Sequence, residues 1–399
     1  MSRLRDFWQS EKFRRFSLVV GSVVLAWALI ELPAFLNILD YQALEFSGVW
    51  GNLRFIRMPD PELLHLERPY AHYSGSAAGG DFASKYDIPV SDRTLFRWDL
   101  QYDHNGFRND TDLKSADIVA IGDSIVEGMT VPHSQMLTTR LASLEGKVVA
   151  NLGQYGYGPQ QELVVLKRYG LRLRPRIVIW MFFEGNDLAD NIGYRKLMLH
   201  PPNFWNFFMQ RSFTRFAYRT LTRLVSGPKP PGIRRSGVIR TPDGKNLRVY
   251  FTSAVEPLTP EELGAIDDTA RIAASAATLS AAQGARFLFV FIPDKFRVFH
   301  DLCEFPPESE CRQWAGNDLP ERMRKAVTAV SPEIGYLDLT PSLVNIAKKG
   351  VLPYYPDDLH WTPDGHQAAA QAISDYVRSN IPGSPSTPIR SAQAAPTSR

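Results

Sequence analysis

Asp117-Ile118-Val119-Ala120-Ile121-Gly122-Asp123-Ser124-Ile125-Val126-Glu127-Gly128 decides how this chain is read. An apolar run that breaks at a glycine, an acid and a hydroxyl residue has the pattern of a buried strand ending in a turn. In an open α/β sheet the carboxyl ends of the strands face the ligand crevice, so Ser124 is a nucleophile candidate from position alone. The plain alternative is a helix cap or turn residue. Asp123 is read as the residue that holds the turn by hydrogen bonding.

Outward from this stretch the chain alternates apolar runs with helical stretches. Strands are expected at 117–122, 147–152, 176–183, 286–292 and 335–339. Helices are expected at 134–144, 160–169, 260–282, 320–329 and 362–376, the last opened by the cap pair Thr362-Pro363. Largely apolar strands fit a parallel sheet covered on both faces, so the expected fold is a doubly wound α/β domain over residues 116–381.

Residues 40–115 read as a linker and an irregular or short-stranded lead-in, with an Asn105-Gly106 turn. There His104 and Arg108 read as turn residues in solvent, with reach to a site as the alternative. The connection at about 190–260 is too long for a crossover helix, and loops of that length carry local structure or a task. Within it residues 203–224 look helical, with Arg211, Arg215, Arg219 and Arg223 every fourth residue among aromatics. That stripe suits either a helix packed on the domain or one lying on an anionic membrane surface or over a cleft. Short strands are expected at 237–240 and 247–251, and the Pro/Ser/Ala/Thr-rich residues 382–399 read as a disordered tail.

At the amino terminus, a basic segment at 1–15 precedes an apolar run at 16–39 in which Glu31 is the sole charge. The run is long enough to span a bilayer, and its basic flank puts the amino terminus in the cytoplasm. A single-pass signal anchor is expected, over a cleaved signal peptide or a soluble helix. The body would then lie in the periplasm or outside the cell, and Cys303 with Cys311 would close a short disulfide.

The charge balance, 45 basic against 42 acidic residues for a net +3, does not meet the pattern of a nucleic-acid-binding protein. Eight scattered histidines suggest no metal cluster, and no phosphate-binding G-x-x-x-x-G-K-[ST] loop is present, so no cofactor is expected.

The polar strand ends carry the chemistry. Ser124 needs a base, and the base an orienting carboxylate; His360 and Asp357, within Asp357-Asp358-Leu359-His360, supply both. Candidate oxyanion donors are the Ser124 N–H, the Gly156 N–H and the Asn186 side-chain amide. His366 falls one turn inside the final helix and reads as a helix residue.

In order, Gly122-Asp123-Ser124, Asn151 through Gly156, Gly185-Asn186-Asp187 and Asp357 through His360 resemble the four blocks of the SGNH hydrolase superfamily, the GDSL lipase/acylhydrolases. The resemblance implies a flavodoxin-like three-layer α/β/α sandwich, with Ser124 as nucleophile, His360 and Asp357 completing the triad, and Ser124, Gly156 and Asn186 forming the oxyanion hole. The block spacing favours Gly156 over Gly153 and Gly158, and Asp357 over Asp358. Similar membrane-anchored extracytoplasmic members include esterases and O-acetyltransferases of bacterial polysaccharides. The expected function is a serine-dependent carboxylic ester hydrolase acting on an acylated carbohydrate or other ester, in the setting of envelope polysaccharide machinery. The alternatives are an O-acyltransferase and an inactive anchored carbohydrate-binding or scaffold protein.

Overall fold

The structure, a computed structural model, describes residues 11–36, 38–42, 57–201, 203–225, 227, 229–252 and 257–381. The expected tail at 382–399 and most of the basic segment at 1–15 lie outside the described residues. The α-helices are α1 (Glu11–Phe35), α2 (Asp81–Lys85), α3 (Ser124–Glu127), α4 (Leu137–Glu145), α5 (Pro159–Val165) and α6 (Asp187–Leu199). They continue with α7 (Phe204–Arg211), α8 (Phe213–Val225), α9 (Pro260–Ala281), α10 (Lys295–Phe299), α11 (Leu319–Val330), α12 (Thr340–Lys348) and α13 (Pro363–Asn380). The chain divides into two compact units, Met1–Phe55 with Leu199–Pro228, and Ile56–Met198 with Lys229–Arg399.

The larger unit begins with two antiparallel pairs, β1 (Arg57–Asp60) with β2 (Leu64–Glu67), and β3 (His72–Ala78) with β4 (Leu95–Gln101). Its centre is a parallel sheet of β5 (Ile118–Gly122), β6 (Val149–Gly153), β7 (Ile177–Phe183), β10 (Arg286–Ile292) and β12 (Gly335–Asp338). A small antiparallel sheet joins β8 (Ser236–Arg240), β9 (Asn246–Tyr250) and β11 (Cys303–Glu304). The parallel strands lie in the order β12-β10-β7-β5-β6, which is 5-4-3-1-2 when those five alone are counted. That is the doubly wound order whose switch point falls beside its first strand, here β5.

Strand pleating sorts the core. Ile118, Ala120, Ile179, Met181 and Val290 face one way, onto Leu141 of α4, Leu343 of α12 and Ile373 of α13. Val119, Ile121, Trp180, Phe289 and Phe291 face the other, onto Val165 of α5, Ala273 of α9 and Met323 of α11. Both faces are therefore dry, which is why these strands are apolar throughout rather than alternating. The caps follow local sequence: Thr259 and Glu262 form a capping box on α9, and Thr362 accepts from the Gly365 N–H at the start of α13.

The lead-in takes the short-stranded form of the expectation, as two ordered antiparallel pairs. In β4 Phe96, Trp98 and Leu100 are buried in strict alternation, a period-two signal that the glycine- and serine-rich β3 obscures. Gly75 faces Trp98 in that register, and a Cβ there would stand 3.0 Å from the indole.

The expected Cys303–Cys311 disulfide is corrected: both thiols are free. Cys303 sits on β11 with its sulfur packed over Gly237 of β8, while Cys311 is buried in the Glu310–Gln313 turn. Each sulfur is absorbed by its own packing, and burial pushes the thiols up to about 12 and about 11. The cysteines therefore say nothing in favour of an oxidising compartment.

In the smaller unit α1 is long and apolar enough to cross a membrane by length and composition, with a mean hydropathy of 2.1 in its most apolar window. Its Glu31 is 4% exposed. The carboxylate accepts from the Phe213 N–H at 3.0 Å and the Thr214 N–H at 2.7 Å, and so caps the amino end of α8.

Candidate active site

Gly122 ends β5 because nothing larger fits: a Cβ would lie 2.5 Å from Val126 Cγ2 and 3.0 Å from the Met181 carbonyl oxygen. Asp123 caps the single turn of α3 by accepting from the Ile125 N–H at 2.9 Å, and Gly128 closes it in the left-handed region at φ 68°. Ser124 opens this turn and is 6% exposed. The turn is held from below. Asn151 donates to the Val126 carbonyl at 2.8 Å, and Tyr102 and the Tyr155 N–H donate to the Glu127 carboxylate at 2.7 and 2.6 Å. The buried Arg108 guanidinium donates to the carbonyls of Glu127, Gly128 and Val131, so Arg108 supports the turn that carries Ser124 instead of facing solvent.

Across the site His360 Nε2 lies 2.9 Å from Ser124 Oγ. Its Nδ1 lies 2.5 Å from Asp358 Oδ1, which also accepts from the His360 N–H at 2.8 Å. The carboxylate on the histidine is therefore Asp358, and the choice of Asp357 is corrected. Asp357 points to the lead-in, accepting from the Gly80 N–H at 3.0 Å, the Thr94 N–H at 3.1 Å and the Thr94 hydroxyl at 2.5 Å. A two-residue offset lets the aspartate fold back on the histidine's own backbone. The residue before it, Asp357, is then turned away from the histidine and buried against Gly80 and Thr94.

The electrostatics match this pairing. Burial works against a charged His360, but the Asp358 carboxylate outweighs it and lifts the imidazole to about 9. Burial likewise works against Asp358, and His360 nevertheless holds it below its ordinary range. Burial, with Asp358 beside it, pushes Asp81 up to about 7. His366 takes a different role: it accepts from the Leu137 N–H through Nδ1 at 3.1 Å, and burial pushes it down to about 3.

Among the glycines after β6, Gly153 and Gly158 use their N–H groups internally, on Asn151 Oδ1 at 2.9 Å and Gln161 Oε1 at 3.2 Å. Gly156, at φ +74° and with no atom within 4 Å of where a Cβ would stand, has no intramolecular acceptor for its N–H among the described residues. Asn186 lies in the turn after β7, where its side chain partly offsets the burial that pushes Asp123 up to about 6, and donates to Asp190 Oδ2 at 2.8 Å.

Residues passed over in the sequence complete the site. The Asp81 N–H donates to Asp358 Oδ2 at 2.9 Å, so the amino end of α2 straps both neighbouring aspartates through Gly80 and Asp81. Lys295, buried at the start of α10, donates to the carbonyls of Tyr355 and Pro356 at 2.6 Å each and of Asp358 at 3.3 Å. The Asp294-Lys295 pair directly after β10 was a legible signal, since it too lies at the carboxyl end of a core strand. Asp81, Asp358 and His360 each bring one potential ligand atom within 4.8 Å of the others. Both His360 nitrogens are already engaged, so a cation there would displace Asp358 or Ser124.

Residues 250–399 match the family model described as ALGX, SGNH hydrolase-like domain, acetyltransferase AlgX. The match spans the Asp358–His360 loop, while Ser124 lies upstream of it. No curated protein matches the chain. Among solved structures, a GDSL-like lipase from Bacteroides thetaiotaomicron is 14% identical over 66% of this chain and 87% of its own, with a TM-score of 0.32. A putative lipolytic protein of the G-D-S-L family from Desulfitobacterium hafniense is 12% identical over 65% and 97%, with a TM-score of 0.34.

Proposed function

We propose that this protein is a serine-dependent carboxylic ester hydrolase of the SGNH type that deacetylates an envelope or secreted polysaccharide. The observation that carries the reading is the 2.9 Å contact of His360 Nε2 with Ser124 Oγ, backed by Asp358 on Nδ1. The family match supports an esterase- or acyltransferase-type activity.

In this mechanism His360 removes the Ser124 proton as Oγ attacks the ester carbonyl. Negative charge gathers on the former carbonyl oxygen, which the N–H groups of Ser124 and Gly156 and the Asn186 amide receive. Protonated His360, stabilised by Asp358, returns the proton to the leaving alkoxide and leaves an acyl-serine. Water activated by the same histidine then releases the acid. The second reading, favoured by the word acetyltransferase in the matched family's description, differs only in the last step, where a sugar hydroxyl replaces water.

Placement belongs to the same proposal. The α1 helix acts as a single-pass anchor in the bacterial inner membrane, with the catalytic unit in the periplasm.

The test is a fluorophosphonate probe with an acetylated oligosaccharide and a chromogenic acetate ester. Labelling and acetate release that vanish in Ser124→Ala support the reading; a folded wild-type chain that neither labels nor turns over any ester leaves an anchored binding or scaffold protein instead. Acetyl recovered on an added oligosaccharide rather than as free acetate would select the transferase.

A further inference from the structure

α8 has two faces that require different surroundings. At 100° per residue Arg215 and Arg219 share one face by sequence position, and Ala217, Leu221, Leu224 and Val225 share the opposite one. That apolar side is uncovered: Tyr218, Leu221, Leu224 and Val225 are 67%, 61%, 78% and 86% exposed. Phe204 and Trp205 of α7 are exposed as well. A helix in water would bury this face, and none of the described residues of its own unit does so.

The same unit holds α1, and Glu31 joins the two. Besides the two backbone N–H groups, its carboxylate accepts from the Thr214 hydroxyl at 2.6 Å, and Trp27 Nε1 donates to Thr214 Oγ1 at 2.8 Å. Phe35 packs edge-on against Phe204 and Phe208 of α7 at 5.1 and 5.9 Å. An ionised side chain in an apolar span is costly unless it is paired or hydrogen-bonded, and the amino end of α8 meets that need. Glu31 is four residues short of the end of α1, so α8 starts within about 6 Å of that end along the helix axis. A span with its end at the bilayer edge therefore starts α8 at the level of the lipid headgroups.

We propose that α7 and α8 form a second membrane contact that lies in the headgroup boundary of an anionic bilayer, apolar face inward and arginines toward lipid phosphates, pinned by Glu31. The inference rests on the membrane-anchor part of the proposed function. Because the chain passes between the two units at residues 55–56, 198–199 and 228–229, the contact tethers both ends of the insertion as well as the start of the catalytic unit.

The test uses the full chain carrying p-benzoylphenylalanine in place of Leu224, reconstituted in phosphatidylcholine vesicles with and without phosphatidylglycerol. Photoactivation is expected to give lipid adducts that increase with phosphatidylglycerol. In the Arg215→Glu, Arg219→Glu double variant the phosphatidylglycerol-dependent part should fall by about fivefold or more, the scale of about 1 kcal/mol per interfacial arginine. Glu31→Ala should lower adduct yield in both vesicle types. Adducts to a second copy of the chain, or none to lipid, overturn the inference. Extraction of the chain by alkaline carbonate overturns the anchor reading and the inference with it. Hydrolysis of a soluble acetate ester by the charge-reversed variant should stay unchanged, so that a failure of the esterase reading is seen separately.

Discussion

Gly80 packs so closely on Asp358 that a Cβ at position 80 would stand 2.5 Å from both the aspartate Cβ and its Oδ2. Two residues 278 positions apart thus share one van der Waals contact, and the orientation of the carboxylate on His360 depends on it. Replacing Gly80 with Ala should displace Asp358 and lower kcat by about 100-fold, the scale of an ångström's misplacement, with little change in KM. Unchanged kcat in a folded variant would remove the strap from the site.

Asp357 and Asp358 should separate cleanly. Asp358→Asn should cost about four orders of magnitude in kcat, because an amide cannot hold the histidine tautomer or stabilise its charged form. Asp357→Asn leaves the Ser124, His360 and Asp358 contacts intact but weakens acceptance from Gly80 and Thr94, so it should lower stability by about 1–3 kcal/mol. Kinetics and thermal melts of the two variants decide it; the reverse pattern would restore Asp357 to the triad.

The raised His360 sets the pH behaviour. The imidazole ordinarily titrates at 6.5 and here at about 9, so the stability it contributes is fully present below 6.5 and lost as pH rises through about 9. Only neutral His360 can accept the serine proton, so kcat/KM should climb over the same window. Asp358→Asn should move any residual limb toward acid. A wild-type limb below 6.5 would contradict this account.

Lys295→Met should destabilise the unit by about 2–4 kcal/mol, because it strips charged donors from carbonyls of the loop carrying Asp358. Denaturant melts give the stability. A kcat loss in the folded fraction at low temperature would tie Lys295 to positioning as well.

Free thiols carry their own check. Unfolding without reductant should expose two titratable thiols, Cys303 and Cys311, and dithiothreitol should leave the melting temperature unchanged. Fewer thiols would reinstate the bond.

The core elements were legible because their causes are local. β5, β7 and β10 announce themselves as apolar runs, and α13 by Thr362-Pro363, at nearly the observed bounds. The β3–β4 pair was not, since β3 shows most of its residues to water and takes its register from Trp98 across the ladder. A strand defined by its partner has little pattern of its own. Arg108, read as a turn residue in solvent, is buried because α3 leaves carbonyls that need a donor.

The sequence by itself determined the alternation that builds the sheet and the placing of Ser124 at a strand end, since both rest on periodicity and chain-breaking within a few residues. Which aspartate meets His360 was a tertiary decision. Asp357 and Asp358 are chemically identical neighbours, and the difference between them comes from backbone N–H groups of Gly80, Asp81 and Thr94, together with Lys295, all distant in the chain. The cysteines follow the same rule: closeness in sequence brought Cys303 and Cys311 together on paper, and packing against β8 on one side and within a buried turn on the other kept their sulfurs unbonded.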